Sequence, residues 1–168
     1  MKSVSFKFGL IPGVFFIAWK MFVFYTHQQF SPMGIFSSIA ALVVLFICVF
    51  LGIKKTRDKE YDGYIILKSC MKAGIKTTLV SATIIALFTY AYLQFIDTGY
   101  ATDYIARIVK NAVNSKAEFK DINAEIEKFK AIHTPFKEST FALFFTLLAG
   151  SFMSFICSSF LVKTKEEV

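Results

Sequence analysis

Four long apolar runs, each closed by polar residues, set the pattern of this chain. They lie at about Phe8 to His27, Gly34 to Ile53, Thr77 to Ile96 and Phe141 to Val162. Each is close to the ~20 residues that a helix needs to cross bilayer hydrocarbon, at about 1.5 Å of rise per residue. Between the second and third runs stands a strongly basic stretch, KKTRDKEYDG, followed by YIILKSCMKAGIK. There Lys68, Lys72 and Lys76 recur every four residues and so share one helix face, while Ile65, Ile66 and Met71 point elsewhere. The pattern predicts a basic interfacial helix that leads past Gly74 into the third run, with Asp62 as its N-cap.

The residues between Asp97 and Thr140 follow another rhythm. Ile105, Ile108, Ala112, Phe119, Ile122, Ile126 and Phe129 keep a three-four spacing, interrupted near Asn114 and Ser115. This predicts two amphipathic helices with a turn near residues 114 to 116, forming a small cap. Its apolar face could close on itself, lie on lipid or meet a partner. Pro135 is expected to separate the cap from the fourth run. In the first run Gly9 and Gly13 stand one turn apart, and Pro12 falls near the start, where a proline is best tolerated. The fold class expected is an all-α membrane protein. Residues 1–168 form a single integral membrane domain, a four-helix transmembrane bundle with the basic interfacial helix before the third span and an amphipathic helical periplasmic cap after it.

Charge gives the bundle a direction. Lys2 and Lys7 precede the first run, no Lys or Arg separates the first from the second, and seven stand between the second and third. By the positive-inside rule both termini and the central basic loop are cytoplasmic. The 97–140 loop holds seven basic residues matched by seven acidic ones, and a long polar loop translocates largely regardless of charge. Composition agrees: a hydrophobic fraction of 55% and a mean hydropathy of +0.56 are too apolar for a soluble core of 168 residues. The net charge of +7 sits largely beside apolar runs, which suits anionic lipid headgroups and argues against nucleic acid as a partner. Cys48, Cys70 and Cys157 have no CxxC spacing, and two lie inside apolar runs as small hydrophobes, so neither a zinc site nor a disulfide framework is indicated; no metal or cofactor is expected. The first run lacks a small-x-small cleavage site and reads as a retained helix.

Three sets of residues are candidates for more than spanning. Helices in lipid associate through close backbone approach at small residues. Such seams recur at one-turn intervals in Gly74, Thr78, Ala82 and Ala86, and in Ala142, Thr146, Gly150, Ser154 and Ser158; the second run carries Gly34, Ser38, Ala41, Cys48 and Gly52 along one side. These predict packing within the bundle or, alternatively, against a second protomer. Lys20 is the charged residue well inside an apolar run. It either snorkels to outer headgroups beside Trp19 and Tyr25, pairs with a partner's acidic group, or joins His27, Tyr90, Tyr92 and Gln94 in an outer-leaflet site for a lipid headgroup or anion. Lys68, Lys72 and Lys76 are the candidate anionic-lipid contacts, whether as orienting charges or as a specific headgroup site. No GxSxG, HExxH or phosphate-loop pattern occurs, and His27 and His133 are both expected at the outer side without a nearby Cys or Ser nucleophile.

The order of parts resembles a known family. FGLIPG in the first span, GIKKTRDKEYDGYI closing the second, KxxMKAGIKTTLVSA entering the third, YLQFID ending it and LVKTK after the fourth are similar to a bacterial four-span membrane family, domain of unknown function 4199, common in Bacteroidota. Asp97 is followed here by Thr98 where members often carry proline, which leaves the start of the outer loop open. The resemblance implies a bacterial inner-membrane protein and supplies no activity. The resulting reading is a non-enzymatic small inner-membrane protein, an accessory or scaffold subunit of an envelope process. Handling or transport of a lipid or lipid-linked substrate is the competing reading. Partners expected are membrane lipids, with another membrane protein or a second copy as the further alternative.

Overall fold

The computed structural model describes residues 4–114 and 119–163. Lys2, residues 115 and 116 of the expected turn, the side chain of Ser38 and the tail beyond Lys163 lie outside the described residues. Within them the chain is helical: α1 (Val4–Tyr25), α2 (Pro32–Glu60), α3 (Leu67–Ala91), α4 (Tyr100–Asn114), α5 (Phe119–Ile132) and α6 (Pro135–Leu161). A π-helical stretch, Tyr92–Ile96, prolongs α3. The segments Val4–Tyr25, Ile39–Glu60, Leu67–Ile96 and Pro135–Leu161 are long and apolar enough to cross a membrane, making this a multi-pass membrane protein.

Helix ends depart from the ends of the apolar runs, because a helix continues as long as its backbone is bonded, whatever surrounds it. α1 begins at Val4, so Pro12 lies in its interior and not in its first turn. α2 continues about two turns past Ile53 through Lys54 to Glu60, residues that favour helix. It stops where Asp62 (φ 49) and Gly63 (φ 87) take left-handed backbone, and the Gly63 amide donates to the Arg57 carbonyl at 3.1 Å. Asp62 therefore ends one turn and does not cap α3, which starts five residues later at Leu67. The basic turns and the third span are one uninterrupted helix. α6 begins at Pro135 itself: Thr134 accepts the Lys137 amide on its hydroxyl at 3.3 Å and Pro135 occupies the first helical position.

The chain divides into two compact units. The first contains α1, α2 and the larger parts of α3 and α6. Its core joins Leu45, Val49 and Ile53 of α2 to Cys70 and Ala73 of α3, Cys157 and Leu161 of α6, and Ile65. An antiparallel bridge between Ile65 and Lys163, with hydrogen bonds of 2.9 and 3.1 Å, ties the approach to α3 to the end of α6. The second unit, residues 87–141, is built on the α4–α5 pair. Ile108, Ala112 and Phe129 are buried there, and Phe129 stacks between Tyr104 and His133 with both centroids at 4.3 Å. Of the three fates open to the amphipathic faces, α4 and α5 thus turn theirs largely on each other.

Candidate functional site

The small residues of α3 and α6 meet inside the first unit. Gly74 faces Ser154 so closely that a Cβ on it would come 2.6 Å from Ser154 Oγ. A Cβ on Gly150 would come 2.5 Å from Thr78 Oγ1, and closer still to its methyl. Thr78, Ala82, Thr146, Ser154 and Ser158 are buried with them, whereas Ala86 is only half-buried. α1 joins the same arrangement, since a Cβ on Gly9 would stand 2.7 Å from the Thr77 carbonyl oxygen. That approach lets α3 donate to α1 backbone: Ser81 Oγ to the Gly9 carbonyl at 2.7 Å and Thr77 Oγ1 to the Ser5 carbonyl at 3.3 Å.

At the end of this unit where α1 begins, α2 ends and α3 begins, the three helices enclose a polar cleft of about 80 Å³. Ser5 comes from α1, Thr56 and Glu60 from the end of α2, Tyr61 from the position after it, and Ser69, Lys72, Ala73 and Lys76 from α3. Lys72 and Lys76 lie one turn apart on one face of α3, and both line the cleft. Lys68 continues their stripe one turn earlier and is exposed. Ser5 and Thr56 are 2% and 4% exposed. Among the described residues the Thr56 hydroxyl has no hydrogen-bond partner, not even the carbonyl one turn back that helical threonines commonly use. A buried hydroxyl left so costs about 1–3 kcal/mol unless something polar reaches it. Arg57 is neutralised by Asp58 at 2.9 Å, and among the described residues no ion pair joins Glu60 to either cleft lysine. The cleft therefore offers two cations, one anion and buried hydroxyls at the level where the apolar part of α2 gives way to charge.

The outer candidates are differently placed. Lys20 is half-buried on α1. His27 does not continue its helix face: α1 ends at Tyr25, and His27 is exposed with φ 54. Tyr90, Tyr92 and Gln94 belong to the second unit. Tyr90 and Gln94 are exposed, while Tyr92 is buried and donates its hydroxyl hydrogen bond to Asp97 Oδ2 at 3.0 Å. In the same unit burial pushes the Tyr100 phenol above its ordinary pKa, and Glu138, Tyr104 and Asp97 add to the rise. His133 Nδ1 lies against Glu138 Oε1, and Lys137 Nζ donates to the Ala131 carbonyl near the end of α5. Among the described residues no group of three or more His, Cys, Asp or Glu side chains is placed to hold a metal ion.

Ser5, Thr56, Glu60, Tyr61 and Ser69 were not foreseeable as a set, since they come from α1, from α2 and the residue that follows it, and from α3, up to 64 positions apart in the numbering. The lysine stripe was the signal available for this end of the molecule. A family model described as "Protein of unknown function (DUF4199)" matches residues 7–163. No curated protein and no solved structure matches the chain.

Proposed function

The chain belongs to the DUF4199 family of unknown function, and from that premise we propose that it is a non-enzymatic accessory or scaffold subunit of an envelope process. In this reading it resides in a bacterial inner membrane with both termini in the cytoplasm. The observation that carries the role is the two-sidedness of α6. Its small face, Thr146, Gly150, Ser154 and Ser158, is buried in the first unit, while Phe144, Leu148, Phe152 and Phe155 form an exposed stripe on the other side. Leu148 and Phe152 are 73% and 67% exposed, which suits lipid tails and equally a second membrane helix.

The test places a photo-crosslinking side chain at Leu148 or at Phe152, with the buried Cys157 as control. A discrete adduct with one other membrane protein from the two outward positions, absent at Cys157, is the expected result. Adducts with lipid alone at both positions would end the accessory reading. The polar cleft favours the competing role, handling of a lipid or lipid-linked substrate. Under that role a tightly held lipid would co-purify and be lost when Lys72 and Lys76 are both replaced by glutamine.

A further inference from the structure

We propose that the cleft between α1, α2 and α3 binds a phosphate group esterified to an amine-bearing headgroup, of which phosphoethanolamine is the simplest. The assignment rests on the four helices crossing a bilayer and is independent of the accessory role. Lys72 and Lys76, one turn apart on α3, present two ammonium groups to one cleft, where a phosphodiester can be met by charge-assisted hydrogen bonds. Glu60 lines the same cleft, and among the described residues no ion pair joins it to either lysine, so its carboxylate can meet a ligand ammonium. Thr56 lines the cleft as well, and among the described residues its buried hydroxyl has no hydrogen-bond partner. Lysines that only orient a span need charge at the right depth; they do not require a carboxylate and hydroxyl side chains gathered into the same cleft. The depth also fits a headgroup. Around this end Lys55 Nζ lies 5.7 Å from the Phe8 ring centroid and Lys163 Nζ 5.8 Å from that of Tyr64, the aromatic-cation pairing of an interface.

The experiment uses the full-length protein in bilayer discs of equal parts phosphatidylethanolamine and phosphatidylglycerol, with retained lipid counted by native mass spectrometry. The wild-type protein is expected to hold one phosphatidylethanolamine in preference to phosphatidylglycerol. Lys72→Gln with Lys76→Gln should lower that occupancy at least about tenfold. Thr56→Val, which keeps shape and leaves both lysines in place, should lower it as well, a change that simple charge anchoring would not produce. Glu60→Gln should keep a bound lipid but abolish the preference between headgroups. Equal retention by the wild type, Thr56→Val and the double lysine variant would overturn the proposal. Displacement by soluble phosphoethanolamine, with no diacyl lipid held by the wild type, would assign the site to the free ester and overturn the lipid source. Should the double lysine variant not purify as a monodisperse helical protein, Thr56→Val and Glu60→Gln decide the matter.

Discussion

At the scale of single residues, the first unit depends more on what is missing than on what is bonded. Gly150 has no room for a methyl group against Thr78, so Gly150→Ala should destabilise the bundle by about 1–3 kcal/mol through overpacking. Adding Thr78→Ala should recover part of that loss, a coupling that a double-mutant cycle of unfolding in mixed micelles would measure. Gly99→Ala, where a Cβ meets nothing within 4 Å, should change little. The hydrogen bonds over the same seam are weaker levers. Ser81 also reaches the Thr77 carbonyl of its own helix at 3.2 Å, a partner it keeps when α3 stands alone in lipid. Ser81→Ala should therefore cost only about 0.6 kcal/mol, the average for interhelical hydrogen bonds in membranes. Four-residue spacing made the small residues of α3 and α6 visible beforehand. It could not say that Gly9 of α1 would share the seam, because spacing describes one helix at a time.

At the scale of elements, the helical segments were legible and their ends were not. Hydropathy reports where lipid lies, whereas a helix ends where its backbone finds another conformation, as at Asp62 and Gly63 after α2. The start of α6 did carry a readable signal, Thr134 before Pro135, a cap followed by the residue that suits the first helical position. In the α4–α5 unit Tyr100 carries a pH dependence. Its folded pKa lies above the ordinary phenol value of about 10, so its contribution to stability is complete below that pH and is lost as pH rises through the folded value. Stability should thus fall above about pH 10, and Tyr100→Phe should make that decline shallower, read from the helical circular dichroism of thermal melts across pH.

At the scale of the whole molecule, the orientation proposed from the lysine distribution has a direct check. A reporter fused after Val168 should be active as a cytoplasmic fusion, and one placed between α4 and α5 as a periplasmic one; the reverse pattern would invert the topology. Which segments span was determined by the sequence alone, because crossing hydrocarbon requires only an uncharged run of sufficient length with its backbone bonded internally. The same one-dimensional information marked the lysine stripe and the small-residue faces. Only the tertiary structure decided that Lys72 and Lys76 share a cleft with Ser5, Thr56 and Glu60, and that Lys20 and His27 do not lie on one continuous helix face. Hydrocarbon presses equally on every apolar surface of a helix, so it selects spans without selecting neighbours. Neighbours are chosen by close contact at positions such as Gly9, Gly74 and Gly150, where steric fit at a few tenths of an ångström determines which helices, and hence which polar side chains, come together.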